Sequence, residues 1–363
     1  MNTLNFAIVG CGAIAPTHAD ALRELGPDVA RLVACADSDP STAKTFAARF
    51  GIPAAPYSDI LCDPNINAVI VCAPSGLHAS LGIQALRAGK HVVVEKPMDI
   101  SREACDQLSS VATATGRTLA VISQHRFDAA SAIVKQKVDS DALGKLILVD
   151  ARIAWFRTQE YYDSGDWRGT WELDGGGCLM NQGIHTVDLM LWICGPVVSV
   201  TAHTATSAHA NIEVEDVVVA ALQFANGALG TLVASTATYP GFPARLAVYG
   251  SLGSAIIEGD ELLTLAVAGQ TQQNSTSANQ HAVQVATGGT KSATEHKETS
   301  ALPGGPKWGD AHRSQLMDFI RACNTGTSPL VDGKEGSKAV DLILAVYESS
   351  RIKATVRLDR KAS

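Results

Sequence analysis

No apolar run in this chain of 363 residues reaches the length of a membrane span. The first ten residues lack the basic start of a secretory leader and read as a structural strand. Basic residues (29 Lys and Arg) do not outnumber acidic ones (36 Asp and Glu), and the net charge of −7 argues against nucleic acid as a partner. The eight cysteines include no CxxC pair. Most lie in apolar stretches and read as small core residues of a reducing compartment, so the expected location is cytoplasmic, with no membrane partner.

What is present begins at once. An apolar strand, Leu4 to Val9, runs into Gly10-Cys11-Gly12-Ala13-Ile14-Ala15. This is the strand–turn–helix fingerprint of a dinucleotide-binding fold, with Ala at its third small position. Gly10 permits the tight turn, Gly12 lets a pyrophosphate approach the backbone, and Pro16 sits in the first helical turn where its missing N–H costs nothing. The helix start favours an anion. A second apolar run, Arg31 to Ala36, ends in Asp37, 22 residues after Ala15. A carboxylate there accepts from the adenosine ribose hydroxyls and repels a 2′-phosphate, so NAD is expected over NADP. The rival reading is that Asp37-Ser38-Asp39-Pro40 only caps the next helix.

Strand and helix alternate through residue 122, which implies a parallel sheet covered on both faces, a doubly wound Rossmann domain at 1–122. The expected elements include a short strand at Ala54–Tyr57, strands at Ala68–Cys72, His91–Glu95 and Thr118–Ile122, and helices at Gly76–Ala88 and Arg102–Thr115. From 123 to 363 the pattern becomes that of an α+β domain with a large, mostly antiparallel open sheet and helices at Ala130–Lys137, Cys178–Cys194, Ala311–Cys323 and Lys334–Ser350. One face of such a sheet is free for another subunit, so a homodimer or homotetramer through it is expected. The polar stretch from Gly269 to Gly305 reads as a long excursion or exposed edge strands and is assigned no chemistry.

Several residues could carry chemistry. Glu95-Lys96-Pro97 follows the fifth strand on the ligand side of the sheet, where a desolvated lysine could exchange protons with a substrate hydroxyl; Pro97 could be cis. Ala73-Pro74-Ser75 suits a loop against a ribose and nicotinamide, and His78 follows it, with a structural role equally open. On the helix after Asp174-Gly175-Gly176-Gly177, the residues Asn181, His185 and Asp188 fall at i, i+4 and i+7 and would share a face. The glycine run would let the backbone pass close to something large and flat. His185 is either a satisfied core histidine or a general acid/base. A metal is not expected, since no second histidine stands at ligand spacing.

Taken together, Gly10–Ala15, Glu95-Lys96-Pro97, Gln124-His125-Arg126-Phe127, the Gly175–Asp188 segment and the tail from His312 to Ser350 resemble the Gfo/Idh/MocA oxidoreductases. The resemblance implies a Rossmann domain joined to an α/β domain whose sheet faces other subunits. It implies NAD- or NADP-dependent oxidation of a secondary alcohol of a sugar, sugar acid or cyclitol, or the reverse. It gives Lys96 a contact with both substrate hydroxyl and nicotinamide, and makes His185 the proton acceptor. In the inositol dehydrogenase branch an Asp lies four residues before that histidine; here it is Asn181, which is given a binding role only. Arg126 is expected near the substrate at the domain junction, and Trp167 and Arg168 in a segment closing over nicotinamide or substrate. The cofactor set is therefore Gly10, Gly12, Ala13, Ile14, Asp37, Ala73, Pro74, Ser75, His78, Glu95, Lys96, Trp167 and Arg168. The substrate set is Lys96, Arg126, Trp167, Asn181 and His185. An NAD-dependent glycoside hydrolase of the same fold and a non-catalytic dinucleotide-binding regulator are the alternatives.

Overall fold

The computed structural model describes residues 2–269 and 309–358. The polar stretch after Gly269 lies outside the described residues. Five short strands, β1 (Leu4–Val9), β2 (Ala30–Ala36), β3 (Ala68–Val71), β4 (His91–Val94) and β5 (Leu119–Val121), form one sheet in the order β2-β1-β3-β4-β5. Every pairing in it is parallel. Apolar runs such as Ala68-Val-Ile-Val71 show no polar alternation because both faces are covered. Phe6, Ile8 and Ile70 point to a core shared with Leu22, Phe319 and Ile320. Their neighbours Ala7, Val9, Val69 and Val71 point the other way, toward Ile83, Leu86 and Leu108. Strand order reverses between β1 and β3, and the carboxyl ends of the strands there form the usual ligand crevice of such folds.

The expected strand at Ala54–Tyr57 survives only as a single parallel bridge from Ala54 to Cys35. Pro53 and Pro56 flank it and supply no N–H to a ladder. Helix Tyr57–Cys62 starts immediately after Pro56. That lone bridge occupies the place beside β2 where a sixth strand would sit.

The second sheet runs β12-β11-β10-β6-β9-β8-β7-β13. Its strands are β6 (Leu146–Ala154), β7 (Val197–Ala205), β8 (Val217–Phe224), β9 (Leu229–Ser235), β10 (Arg245–Gly250), β11 (Gly253–Glu258), β12 (Glu261–Val267) and β13 (Val356–Arg357). The pair β6 and β9 is parallel and the rest are antiparallel. β12 and β13 were not foreseen. Along β8 the side chains of Val218, Ala220, Leu222 and Phe224 are buried, while Val219, Ala221 and Gln223 are exposed. The outward face carries apolar side chains, with Leu148, Val219 and Leu229 43–59% exposed, among polar ones such as Asp150, Thr231 and Gln223.

Two departures from the sequence reading matter for the site. The helix expected over Cys178–Cys194 opens as a π-helical turn, Cys178–Gly183, before the α-helix Ile184–Cys194 begins. Asn181 lies in the wider turn and His185 in the α-helix that follows it, and the two line one cleft. Residues beyond 123 also do not stay in one lobe. Helix Asp310–Thr325 returns to pack on helix Ala15–Leu25 of the first sheet. There Gln315 accepts from the Ser123 N–H (3.0 Å) and donates to the Val121 carbonyl (2.8 Å).

Candidate active site

The fingerprint turn opens a cleft of about 710 Å³, bounded by both lobes. Gly10 has φ +88°, and a Cβ on it would fall 2.6 Å from the Cys72 carbonyl, so the turn requires glycine. Gly12 has nothing within 4 Å of where its Cβ would stand, which leaves its backbone open to the cleft. Asp37 lines the far end and accepts the Cys11 N–H (2.7 Å) and the Asp39 N–H (2.9 Å). Helix Pro40–Phe50 is capped by Asp39, whose carboxylate takes the Ser41 and Thr42 N–H groups. The hydroxyls of Thr42 and Ser41 hold the Asp39 pKa down to about 2. Asp37 is therefore free of the capping role and faces the cleft. Among the described residues no Lys or Arg lines that end, so a 2′-phosphate would meet the Asp37 carboxylate with no cation to offset it. The pocket's shape, its glycines and Asp37 fit NAD.

Ala13, Ile14, Ala73, Pro74, Ser75, His78, Glu95, Lys96, Trp167, Arg168, Asn181 and His185 all line the same cleft. His78 does so as a tie: its ring nitrogens face the carbonyls of Pro97 (2.7 Å) and Ala73 (2.8 Å), holding together the loops after β3 and β4. The Lys96–Pro97 peptide is cis. Lys96 Nζ donates to the Asn181 carbonyl (2.7 Å), linking the two lobes across the cleft. Burial lowers the Lys96 pKa. Behind it, Glu95 is buried and accepts from the Lys96 N–H (3.0 Å) and pairs with His18 Nε2 (2.7 Å). Burial alone would raise the Glu95 pKa, but the His18 bond together with the charges of His18, His312 and Lys96 outweighs it and holds the carboxyl below the ordinary range.

His185 stands in the cleft wall with neither ring nitrogen bonded to a described residue, its ring 5.1 Å from that of His125 and edge-on to it. Burial, and then the charge of Lys96, push its pKa well below the ordinary histidine value. His125 behaves oppositely. Burial opposes its charge, but Asp128 (2.7 Å) and Asp260 (3.1 Å) raise its pKa to about 9. The site thus sets a charged imidazole beside a neutral one. Gln124 also lines the cleft, and its buried Oε1 has no donor among the described residues.

Asn181 is tied by its own amide, which donates to Asp174 and accepts from Gln182 Nε2 (2.9 Å). Burial raises the pKa of Asp174, whose other oxygen takes the Gly169 N–H (2.9 Å). The glycine run was expected to admit a flat ligand; instead it admits the protein's own chain. Cβ atoms on Gly175, Gly176 and Gly177 would fall 2.3 Å from Ile100, 2.2 Å from the Tyr347 hydroxyl and 1.9 Å from the Glu215 carbonyl. The buried Glu215 carboxylate accepts the N–H groups of Gly177 and Leu179 (2.9 Å each) and so anchors the π-turn.

Arg126 is not in the cleft lining. Its guanidinium makes two bonds to Asp188 (2.8 and 2.7 Å) and one to Glu335 (3.1 Å), with its side chain 1% exposed. The expectation that it meets substrate gives way to a structural one, because three of its five N–H groups are taken by carboxylates and its side chain stands outside the nucleotide cleft. Asp188 is explained by the same bond. Asp174, Gln182, His125, His18 and His312 went unassigned in the sequence. A pair of acids opening an apolar strand, Glu215-Asp216 ahead of Val217, was a visible signal for the buried anchor.

The amino-terminal third, residues 4–123, matches the oxidoreductase family with an NAD-binding Rossmann fold, GFO/IDH/MocA, and residues 132–256 match that family's C-terminal domain. The chain belongs to the GFO/IDH/MocA oxidoreductases. Among solved structures, the WlbA dehydrogenase of Bordetella pertussis, in complex with NADH and UDP-GlcNAcA, is 31% identical, with 98% of this chain and 99% of that one covered and a TM-score of 0.84. The inositol 2-dehydrogenase of Rhizobium meliloti is 29% identical over 272 residues, 73% of this chain and 79% of the relative. The scyllo-inositol 2-dehydrogenase (NAD(+)) of Bacillus subtilis is 26% identical over 368 residues, 98% of this chain and 96% of the relative. The protein is an oxidoreductase with a nicotinamide cofactor, and NAD is the form its cleft fits.

Proposed function

We propose that this oxidoreductase acts on a secondary alcohol of a ring-shaped sugar, sugar acid or cyclitol, with His185 as proton acceptor and Lys96 as the group that holds the reacting oxygen. The observation that carries this reading is the convergence of Lys96, from the first lobe, and His185, from the second, on the cleft that the glycine turn opens. The relatives support the substrate class: two act on inositols, and the WlbA dehydrogenase was solved with a nucleotide-linked sugar acid.

Gly10, Gly12, Ala13, Ile14, Asp37 and Ala73–Ser75 would hold the dinucleotide, and Gln124 Oε1 offers an acceptor to ligand or cofactor. NAD, when bound, supplies the hydride acceptor at its nicotinamide ring. A depressed pKa keeps His185 neutral and able to take the hydroxyl proton near neutral pH. The Lys96 ammonium, donating to the oxygen as the proton leaves, stabilises developing negative charge in a water-poor site. Asn181, fixed by Asp174 and Gln182, presents Lys96 with the carbonyl that orients it. Trp167 and Arg168 close the side of the cleft.

The test is a screen of sugars, sugar acids and inositols at the NADH absorbance, with mass spectrometry of the copurifying nucleotide. Lys96→Ala and His185→Ala should each lower turnover by a factor on the order of 10² while retaining NADH binding. Near-normal turnover in both would remove the assignment. The apolar side chains on the outward face of β6, β8 and β9 support a homodimer or homotetramer through that sheet, checked by light scattering of Leu229→Lys. A cytoplasmic location is supported by eight cysteines that are all free; no helix among the described residues is long and apolar enough to cross a membrane.

A further inference from the structure

Three of the eight cysteines, Cys11, Cys35 and Cys72, belong to one buried apolar cluster with Ile8 and Phe46. Cys11 stands between Gly10 and Gly12 in the fingerprint turn, and Cys35 lies on β2 two residues before Asp37. These two are hydrogen-bonded to each other, thiol to thiol. Cys11 Sγ also lies 3.5 Å from the Ala36 carbonyl, and Cys35 Sγ 3.6 Å from the Ala43 carbonyl. Donation from Cys11 lowers the Cys35 pKa, against burial and the Asp37 charge, which raise it. The thiolate is the reactive form of cysteine, so the contact favours chemistry at a place where a lone buried thiol would be inert. The proposed alcohol oxidation uses neither residue.

The backbones of the pair are held unequally. Cys35 sits inside the sheet, paired with Ile8 of β1. Its N–H donates to the Pro53 carbonyl (3.1 Å), and its own carbonyl accepts the Ala55 N–H (2.9 Å). The Cys11 N–H is held by a side chain instead, the Asp37 carboxylate (2.7 Å). The residues after it, Gly12 and Ala13, are exposed, and nothing lies within 4 Å of where a Gly12 Cβ would stand. A disulfide sets its sulfurs about 2.05 Å apart, well inside the reach of a thiol hydrogen bond. Closing one here draws Cys11 toward β2, because the strand is fixed on both sides and the turn is free on one. That motion pulls the Cys11 N–H from Asp37 and shifts Gly12, the two points at which the cleft fits the ribose and the pyrophosphate.

We infer that Cys11 and Cys35 form a reversible oxidation site, a dithiol that a hydroperoxide converts to a disulfide and that in this form no longer binds the dinucleotide. The inference does not depend on which alcohol the enzyme oxidises. In the first step one sulfur, as thiolate, attacks an oxygen of the hydroperoxide. The O–O bond breaks, the sulfur becomes a sulfenic acid, and the other oxygen leaves with a proton as water or an alcohol. In the second step the remaining thiol displaces the sulfenic hydroxyl, which leaves as water while the S–S bond closes. The two sulfurs together lose two electrons and the O–O bond gains them. A pyrophosphate at Gly12 would cover the turn, so the empty enzyme is oxidised before the loaded one. In a reducing compartment such a disulfide is a transient, sensing one.

The test treats the full chain, freed of nucleotide, with hydrogen peroxide, then alkylates it under denaturing conditions and digests it with trypsin. Cys11 lies on peptide 1–23, Cys35 on 32–44, and Cys62 and Cys72 on 50–87, so a linkage names its own partners. Peptides 1–23 and 32–44 should appear joined. NADH affinity, read by fluorescence titration, should fall by a factor on the order of ten or more, the loss of one charge-assisted bond. Dithiothreitol should undo both changes, and saturating NADH during the treatment should slow the joining. Cys11→Ala and Cys35→Ala should each keep their NADH affinity through the same treatment. Absence of the joined pair overturns the inference, as does a link to 50–87 in its place. So does a joined pair with unchanged NADH affinity, an affinity loss that dithiothreitol does not reverse or that persists in both variants, or joining at equal rates with and without NADH. The map of the unsubstituted chain decides the linkage even where a variant fails to fold.

Discussion

Replacing Arg126 with Met separates a structural arginine from a substrate-reading one. The guanidinium joins three elements: the 3-10 turn Gln124–Phe127 that carries it, helix Ile184–Cys194 through Asp188, and helix Gly333–Ile352 through Glu335. The Arg126 and Asp188 side chains are 1% and 6% exposed, and that of Glu335 is 29% exposed and also held by Lys338. Glu335 can turn to water when the arginine goes. Asp188 cannot, and stays behind as a buried carboxylate without its two bonds. Breaking a buried pair in this way costs about 3–5 kcal/mol. At roughly 1.3 °C per kcal/mol for a chain of 363 residues, the Arg126→Met melting temperature should fall by about 5 °C. Removing both charges, Arg126→Met with Asp188→Leu, should recover most of the loss, because apolar replacements of a buried pair are often neutral. KM for the alcohol should stay within about threefold in whatever fraction remains folded. Differential scanning fluorimetry and steady-state kinetics read the two quantities. An unchanged melting temperature with a KM raised tenfold would refute the reasoning and return Arg126 to the substrate.

Gly10→Ala should weaken NADH binding by a factor on the order of 10² in a fluorescence titration, since a Cβ there falls 2.6 Å from the Cys72 carbonyl and φ is +88°; unchanged affinity would mean the turn does not hold the cofactor. The profile of kcat/KM against pH should show both limbs displaced to lower pH. A lowered His185 pKa keeps the base unprotonated at pH 6.5, so activity falls only below that, while the lowered Lys96 pKa brings the alkaline limb below 10.5. Half-maximal activity at pH 7 on the acid side would contradict it. His125 is raised to about 9 in the folded chain from an ordinary 6.5, so its contribution to stability is full below pH 6.5 and is lost as pH rises through 9. The melting-temperature gap between the wild type and His125→Asn should therefore be widest at pH 6 and close by about pH 10. Gly177→Ala should yield little soluble protein, because its Cβ would fall 1.9 Å from the Glu215 carbonyl and no backbone can give by that much.

Much of the fold was legible because its strongest signals are local. Runs such as Val69 to Val71 are apolar on both faces, and the alternation along Val217–Phe224 is apolar on one. Gly10, Gly12 and Asp37 were readable for the same reason, since each answers to a backbone requirement a few residues long. What was hidden depends on partners far away in the chain. Nothing near Gly177 announces Glu215, nor does anything near Arg126 announce Glu335. A free arginine and a paired one are the same letter, and the partner decides which of them faces ligand. Ala54 lost its strand to two neighbouring prolines that only proximity to Cys35 would have tested. The π-turn at Cys178–Gly183 left no compositional mark.

The helix Asp310–Thr325 bears on how the chain is born. Leu316, Phe319 and Ile320 are buried against Phe6 and Ile8, at the very start of the chain. A nascent chain that has emerged only through β5 carries every strand of its nucleotide-binding sheet, yet one side of that sheet stays partly uncovered until a segment almost two hundred residues downstream appears. The third of the chain that would hold NAD is translated before this helix and can be finished only after it emerges, so an amino-terminal fragment cut at residue 122 should aggregate rather than bind the cofactor by itself.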